Sequence, residues 1–278
     1  MTVVLFCGGL GIRLRGQAPG VPKPLVPIGG EPILTHLMRW YAHHGHRDFV
    51  LCLGHGGQRI VRHFLRAWEP VAAESLPGGV TRLRVRTDPL DEWTVTLVPT
   101  GLRARIGERL RAVRRFLDGA MFLANYADGL ADLDLPEFLA RFRASGALGG
   151  LITVRPASTH HLISVDRQGM VDGVRLPAEA GLRVNGGFFA FRAEIFDWLA
   201  PGEDLVDGLF PRLVAERRLF GYPHDGFWAC MDTPKDWLGL QEMEAAARTP
   251  WKAWLAARAA SADLDAAPRR LSSSERGA

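Results

Sequence analysis

Val3-Val4-Leu5-Phe6-Cys7-Gly8-Gly9-Leu10-Gly11-Ile12-Arg13, followed after a short gap by Pro22-Lys23-Pro24-Leu25-Val26-Pro27-Ile28-Gly29-Gly30-Glu31-Pro32-Ile33-Leu34, decides how the rest of the chain is read. The apolar run Val3 to Cys7 has no polar alternation, the pattern of a strand buried on both faces. It empties into Gly8, Gly9 and Gly11, which let the backbone turn sharply and bring its N–H groups close to an anion. Two cations follow, Arg13 and Lys23. A strand, a glycine-rich turn and two positive side chains make a cradle for a triphosphate. The spacing is not G-x-x-x-x-G-K-[ST], so a P-loop is excluded, and it is not a G-x-G-x-x-G dinucleotide turn. A nicotinamide oxidoreductase would also need an acid about 20 residues past the glycines, at the end of the next strand. Pro22-Lys23-Pro24 occupies that region.

Working outward, Ile33, Leu34, Leu37, Met38 and Tyr41 fall at helical spacing, with Pro32 suited to a first turn and Gly45 to a stop. His43, His44 and His46 cluster there, which reads as a helix C-terminus favouring partial positive charge rather than as a metal site. Phe49–Leu53 is a second apolar strand, and Gly54-His55-Gly56-Gly57 turns into a helix bearing Ile60, Val61, Phe64 and Leu65. Strand, helix, strand, helix predicts an α/β fold: a Rossmann-like, mostly parallel central sheet with helices on both faces. Ligands of such sheets sit at the carboxyl ends of the strands, where the Gly8–Gly11 turn is placed. Residues 69–79, with three prolines and glycines in their last positions, read as a loop. Thr81–Arg86 and Trp93–Val98 alternate and read as a β-ribbon crossing the surface. The arginines between 103 and 115 read mostly as a solvated helix face, with Arg109, beside Gly107, placed at a ligand. From Pro156 the pattern shortens to small β segments, including a hairpin turning at Arg167-Gln168-Gly169 and a strand interrupted at Gly186-Gly187. Residues 1–261 are expected to form the catalytic domain, with a smaller β-rich part for sugar binding and oligomerisation. Residues 262–278 are expected to be a disordered tail.

Composition limits the function classes. The chain has 278 residues, 47% hydrophobic and 23% charged, enough for a sizeable core. Its net charge of +4 is mild and its arginines are interspersed with acids, which favours small phosphate-bearing ligands over nucleic acid. No apolar run reaches the roughly 18 residues of a membrane span, and no membrane association is expected. Cys7, Cys52 and Cys230 form no C-x-x-C pair and read as reduced thiols of a cytoplasmic protein. Of 34 basic residues only three are lysines, Lys23, Lys235 and Lys252. Lys23 therefore stands where a compact ammonium suits the space between phosphates better than a planar guanidinium.

Two acids complete the chemistry. Asp128 follows the buried strand Met121–Tyr126, and Asp232 follows the strand Phe227–Met231; these strands are expected to be neighbours in one sheet. Asp128 alone could be an Asp-Gly turn. Taken together, the two carboxylates are read as holders of Mg²⁺ over a triphosphate, which fits in-line attack at phosphorus. Arg13 would then hold the β- and γ-phosphates, and Lys23 the α-phosphate, where charge grows in the transition state.

The opening stretch resembles the sugar-nucleotidyltransferase signature, G-G-x-G-x-R, then P-K-P-L/M, then G-x-P-I-L. Further stretches resemble the glucose-1-phosphate cytidylyltransferase branch: Trp93-Thr94-Val95-Thr96-Leu97-Val98-Pro99-Thr100-Gly101, Gly107-Glu108-Arg109-Leu110, Asn185-Gly186-Gly187-Phe188-Phe189, and Gly226-Phe227-Trp228-Ala229-Cys230-Met231-Asp232-Thr233. That resemblance implies reaction of CTP with a sugar 1-phosphate, giving a CDP-sugar and pyrophosphate. It assigns nucleotide contacts to Gly8, Gly9, Gly11, Arg13, Lys23, Thr100 and Arg109, and Mg²⁺ to Asp128 and Asp232. The catalytic group is Arg13, Lys23 and Asp128. Sugar-phosphate contacts are expected at Asn185, Gly186, Arg175 and Arg183. A homo-oligomer is expected as well.

Three departures from the family pattern matter. Ile12 stands where the family has a Thr, and Ala127 where it has a Gly, a mild change unless that backbone needs positive φ. Leu176 stands where a lysine for the sugar phosphate belongs. Losing that charge-assisted bond costs roughly 1.5–3 kcal/mol, so Arg175, Arg183, His160, His161 or Lys235 would have to replace it. The acceptor could then be another sugar or cyclitol phosphate, the nucleotide another triphosphate, or the chain a non-catalytic nucleotide-binding paralogue.

Overall fold

The computed structural model describes residues 1–9, 20–88, 91–156, 161–177, 179–252 and 255. Gly11, Arg13, His160 and the tail expected over 262–278 lie outside them.

The first strand, β1 (Val3–Cys7), is fully buried. Its alternating side chains divide the core. Val3, Leu5 and Cys7 face one apolar cluster, while Val4 and Phe6 face another on the opposite side. Burying each of these side chains contributes on the order of 1.5–3 kcal/mol, so this strand is fixed by its two-sided apolarity. A two-residue hairpin, β2 (Pro27–Ile28) and β3 (Glu31–Pro32), leads into α1 (Ile33–His43). Pro32 caps this helix rather than entering its first turn. Ile33, Leu34, Leu37, Met38 and Tyr41 are all buried, as their spacing requires. The helix ends where Gly45 takes φ +83° and the His46 N–H donates to the Tyr41 carbonyl at 3.0 Å.

Next come β4 (Asp48–Leu53), α2 (Gly57–Ala67), β5 (Glu69–Leu76), β6 (Val80–Asp88), β7 (Asp91–Pro99), α3 (Ile106–Val113) and β8 (Met121–Asn125). The second half adds β9 (Gly129–Ala131), α4 (Leu135–Ser145), β10 (Gly149–Val154), the hairpin β11 (Leu162–Val165) and β12 (Val171–Arg175), and β13 (Val184–Arg192). It closes with α5 (Ile195–Trp198), α6 (Phe210–Ala215), β14 (Leu219–His224), β15 (Trp228–Cys230) and α7 (Pro234–Ala245).

The central sheet has nine strands in the order β14-β10-β13-β8-β1-β4-β7-β6-β5. All but β13 and β6 point the same way, which makes the sheet mostly parallel. Residues of α1, α2 and α4 pack on one face and residues of α3, α5 and α6 on the other. The chain builds rightward from β1 through β4 to β7, then crosses to β8 on the other side of β1. The carboxyl edge beside β1 and β8 is thus the topological switch point, where open α/β sheets bind ligands. Among the described residues no helix is long and apolar enough to cross a membrane.

Three expectations are corrected. Residues 69–76 are a strand, not a loop. β5 is the sheet's edge, and its register shifts between Pro70 and Ala72, the kind of position where proline is tolerated. β6 and β7 do not cross the surface as a ribbon. They are part of the central sheet, with Leu83, Val85, Trp93 and Val95 buried, and β7 runs parallel to β4. Finally, Asp128 and Asp232 are not carried by neighbouring strands of that sheet. β9 and β15 pair with each other as a separate two-stranded ribbon.

Candidate active site

Four parallel strands deliver their carboxyl ends to one edge: Gly8 follows β1, Gly54 follows β4, Thr100 follows β7, and Tyr126 and Asp128 follow β8. Above them lies a cleft of about 680 Å³, lined by Gly8, Gly9, Lys23, Arg109, Tyr126 and Asp128 among others. That volume is in the range of small-molecule sites.

Arg109 is buried beneath the glycine turn, at 4% exposure. One of its terminal nitrogens donates to the Thr100 hydroxyl at 2.7 Å and to the Leu53 carbonyl at 3.3 Å; the other donates to the Gly8 carbonyl at 3.3 Å. A Cβ on Gly8 would fall 2.1 Å from this guanidinium, and one on Gly54 would fall 2.8 Å from the Gly8 backbone. Gly8 therefore does more than turn the chain. Its missing side chain is the space the guanidinium fills, and this places a buried positive charge under the turn. Gly9 has open space on its Cβ side. Thr100 anchors the same arrangement, its hydroxyl also donating to the Leu53 carbonyl at 2.9 Å.

Lys23 begins a single 3-10 turn, Lys23–Leu25, between two prolines that restrict its backbone. Its Nζ donates to Asp128 Oδ2 at 2.7 Å and to Asp232 Oδ1 at 2.5 Å. Burial works against the ammonium, but the Asp128 charge and the hydrogen bonds it donates to both carboxylates win, raising its pKa above the ordinary lysine value. Burial pushes the Asp128 carboxyl upward against the pull of Lys23. The two acids reach each other through the β9–β15 ribbon, where the Met231 N–H donates to the Asp128 carbonyl at 3.0 Å. Asp232 is held at the start of α7. The Asp236 carboxylate accepts from the backbone N–H groups of Asp232 and Thr233, and the Thr233 hydroxyl accepts from Asp236 N–H, closing a capping box.

Ligand atoms of Asp128, Cys230 and Asp232 lie within 4.8 Å of one another. Burial raises the Cys230 thiol well above its usual range, so it stays protonated. The available donors are two hard carboxylates, a set that suits Mg²⁺, which takes one or two carboxylates together with substrate phosphates. No comparable cluster forms at His43, His44 and His46 among the described residues. Nor do all three histidines carry helix-end charge: burial lowers the pKa of His44 and takes His46 down to about 4.

On the far wall, Tyr126 Oη accepts from the Asn185 amide at 3.2 Å, and Asn185 Oδ1 accepts from Gly187 N–H at 2.9 Å. Burial pushes the Tyr126 phenol up to about 12, so its proton is retained near neutral pH. The Gly186 carbonyl accepts from the Trp228 indole at 2.8 Å, tying β13 to β15. Arg175 sits exposed on the β11–β12 hairpin, and Arg183 is paired with Asp225 at 2.7 Å. Neither lines the cleft, nor does Leu176. Sequence reading did not single out Tyr126, Asp204, Arg103 or Arg105, all of which line it. For Tyr126 the signal was available: it directly follows the last residue of β8 on the edge already chosen for the ligand.

No family model matches the chain. It is 33% identical over 258 residues to the glucose-1-phosphate cytidylyltransferase of Salmonella typhimurium, covering 91% of this chain and 100% of that protein. The chain belongs to the glucose-1-phosphate cytidylyltransferase family. It is therefore an enzyme, a nucleotidyltransferase. More distantly, it is 26% identical over 245 residues to the mannose-1-phosphate guanyltransferase of Gibberella zeae, covering 86% of this chain and 62% of that one. Its fold matches the crystal structure of HddC from Yersinia pseudotuberculosis with a TM-score of 0.60 at 16% identity, over 87% of this chain and 98% of that one. The β1–β8 edge and its cleft are thus the place to read this family's chemistry.

Proposed function

We propose that the chain transfers the cytidylyl group of CTP to a sugar 1-phosphate, releasing pyrophosphate and a CDP-sugar. The observation that carries this reading is the convergence of Asp128 and Asp232 on the Lys23 ammonium, each within hydrogen-bond distance of it, with Lys23 and Asp128 lining the cleft that also holds Gly8, Gly9 and the buried Arg109. The triphosphate lies over the Gly8–Gly9 turn, where backbone N–H groups and the charge of Arg109 favour an anion. Arg13, outside the described residues, is assigned to the β- and γ-phosphates.

An oxygen of the sugar phosphate attacks the α-phosphorus in line, a P–O bond forms to it, and the bond to the bridging oxygen of pyrophosphate breaks. The attacking phosphate is already an anion, so no serine or cysteine nucleophile is required. Lys23 neutralises the charge that builds on the α-phosphate oxygens, the kind of interaction that is strongest in the transition state. Asp128 and Asp232 would hold Mg²⁺, which supplies charge neutralisation and orients the phosphates. Tyr126 presents its retained phenol proton toward the acceptor side, with Asn185 fixing the ring and Gly186 fixed by Trp228.

Leu176 leaves the sugar phosphate without its expected lysine. Arg175 and Arg183, which do not line the cleft, are proposed to supply the charge from a neighbouring sugar-phosphate subsite. Replacing either by Ala then raises KM for the sugar phosphate while kcat holds, the pattern of lost uniform binding. A homo-oligomer and a cytoplasmic location complete the proposal.

The test is pyrophosphate release by the full chain with Mg²⁺, CTP or GTP, and a panel of sugar 1-phosphates. CTP-dependent release with at least one sugar supports the reading. Faster release with GTP moves the assignment to guanylyl transfer. CTP binding with no release from any sugar contradicts the reading.

A further inference from the structure

The contact between Lys23 and both acids is more than a stabilising ion pair, because it engages the same two carboxylates a metal would need. The ammonium is a compact point charge with three donors. Two of them go to Asp128 Oδ2 at 2.7 Å and Asp232 Oδ1 at 2.5 Å. The Lys23 side chain is 15% exposed and Asp128 19%, so this charge is poorly screened; Asp232, at 46%, opens toward solvent. The third group in reach, Cys230, carries no positive charge and neutralises neither carboxylate. Among the described residues, then, Lys23 is a cation shared by the two acids. Its single positive charge is then already shared by two carboxylates, which leaves little to neutralise an α-phosphate.

We propose that Lys23 is an electrostatic latch: in the nucleotide-free chain its ammonium holds Asp128 and Asp232 and keeps a divalent cation off them, and an arriving triphosphate draws it away. The proposal rests on the nucleotidyl-transfer reading above. It adds an order of events, in which metal enters with the nucleotide rather than before it. It also gives Lys23 two successive partners. The prolines on either side of Lys23 fix the backbone, so the exchange is a swing of the side chain alone.

The latch predicts that apparent metal affinity of the free chain is the intrinsic affinity multiplied by the fraction of time the latch is open. A latch open about one-tenth of the time weakens it about ten-fold. Mn²⁺ binding to the full chain, followed by electron paramagnetic resonance without nucleotide, reads this directly. Lys23→Met is expected to bind Mn²⁺ about ten-fold or more tightly than the wild type, and CTP is expected to raise the wild-type affinity. Equal Mn²⁺ affinities of the two proteins without nucleotide overturn the latch.

A second readout needs no substitution. The chain has only three lysines, so ¹⁵Nζ-lysine spectra are simple to assign. The Lys23 signal is expected to stay in place on adding Mg²⁺ alone and to move on adding CTP without metal. Movement with Mg²⁺ alone overturns the latch. Failure of the transfer reading looks different: no CTP-dependent pyrophosphate release, with the Mn²⁺ difference between wild type and Lys23→Met intact. Pyrophosphate release alongside equal Mn²⁺ affinities removes the latch and keeps the enzyme.

Discussion

At the scale of single residues, Lys23 carries the most weight. Lys23→Ala is expected to lower kcat about 10²–10³-fold, the usual cost of removing one donor aimed at developing charge, with a smaller change in nucleotide affinity. Steady-state and equilibrium titrations separate the two, and an unchanged kcat removes Lys23 from the chemistry. Asp128→Asn and Asp232→Asn should each abolish activity or raise the Mg²⁺ concentration needed for half-maximal rate. Ala127 raises a different question. It adopts φ +66°, a left-handed conformation that costs an L-residue about 1–2 kcal/mol. Glycine would relieve that strain, but it would lose a buried methyl worth about 0.8 kcal/mol and add about 0.4–1 kcal/mol of unfolded-state entropy. These contributions nearly cancel, so Ala127→Gly is expected to shift stability by less than about 1 kcal/mol. Ala127→Val, β-branched at the same φ, should be clearly destabilising by urea titration. The sequence marked Ala127 as a departure from the family pattern; only the backbone angle shows what that departure costs.

At the scale of elements, the start of α7 and the end of α1 carry separate tests. The capping box of Thr233 and Asp236 fixes the residue that follows the β15 strand, so its effect reaches Asp232 directly. Thr233→Ala is expected to cost about 1 kcal/mol of stability and to weaken activity beyond what that loss explains, because Asp232 loosens. At the end of α1, His46 has a folded pKa near 4, chiefly from burial. The unfolded chain protonates this ring below about pH 6.5 while the folded chain does not. Stability is therefore full above that pH and lost as pH falls toward 4. Allowing for partial exposure, the loss is on the order of 1–2 kcal/mol. Urea midpoints at pH 7 and pH 4.5 should differ less in His46→Gln than in the wild type. Elements with two-sided apolarity or clear helical spacing, such as β1, β4 and α1, were legible from sequence. β5 and β14 were not: both are sheet-edge strands that carry a proline, Pro70 in a stretch read as a loop and Pro223 in one assigned to no element. Edge strands have unpaired backbone on one side and tolerate proline there.

At the scale of the whole molecule, the groups proposed for catalysis come from distant parts of the chain. Lys23 and Asp128 are 105 positions apart, and Lys23 and Asp232 are 209 apart. What brings them together is the crossover that sets β8 beside β1 and the β9–β15 ribbon that folds back to it. The first acid and the glycine turn were legible because apolar strands of a parallel sheet end at one edge. The ribbon was not: the strand before Asp232 was read, but its partner Gly129–Ala131 is too short to show a period, so their pairing stayed hidden. The sugar side was hardest to read: its candidate arginines are surface residues, and nothing in the one-dimensional pattern separates Arg183, engaged by Asp225, from a free cation. The central claim is that a triphosphate rests on the Gly8–Gly9 turn with its α-phosphorus between Lys23 and the two aspartates. A crystal structure of the full chain with CTP and Mg²⁺ tests it most directly. The expected result is Lys23 Nζ on an α-phosphate oxygen and one metal ion shared by Asp128, Asp232 and the triphosphate. A triphosphate bound elsewhere, or Lys23 still joined to both aspartates with nucleotide in place, would contradict the account.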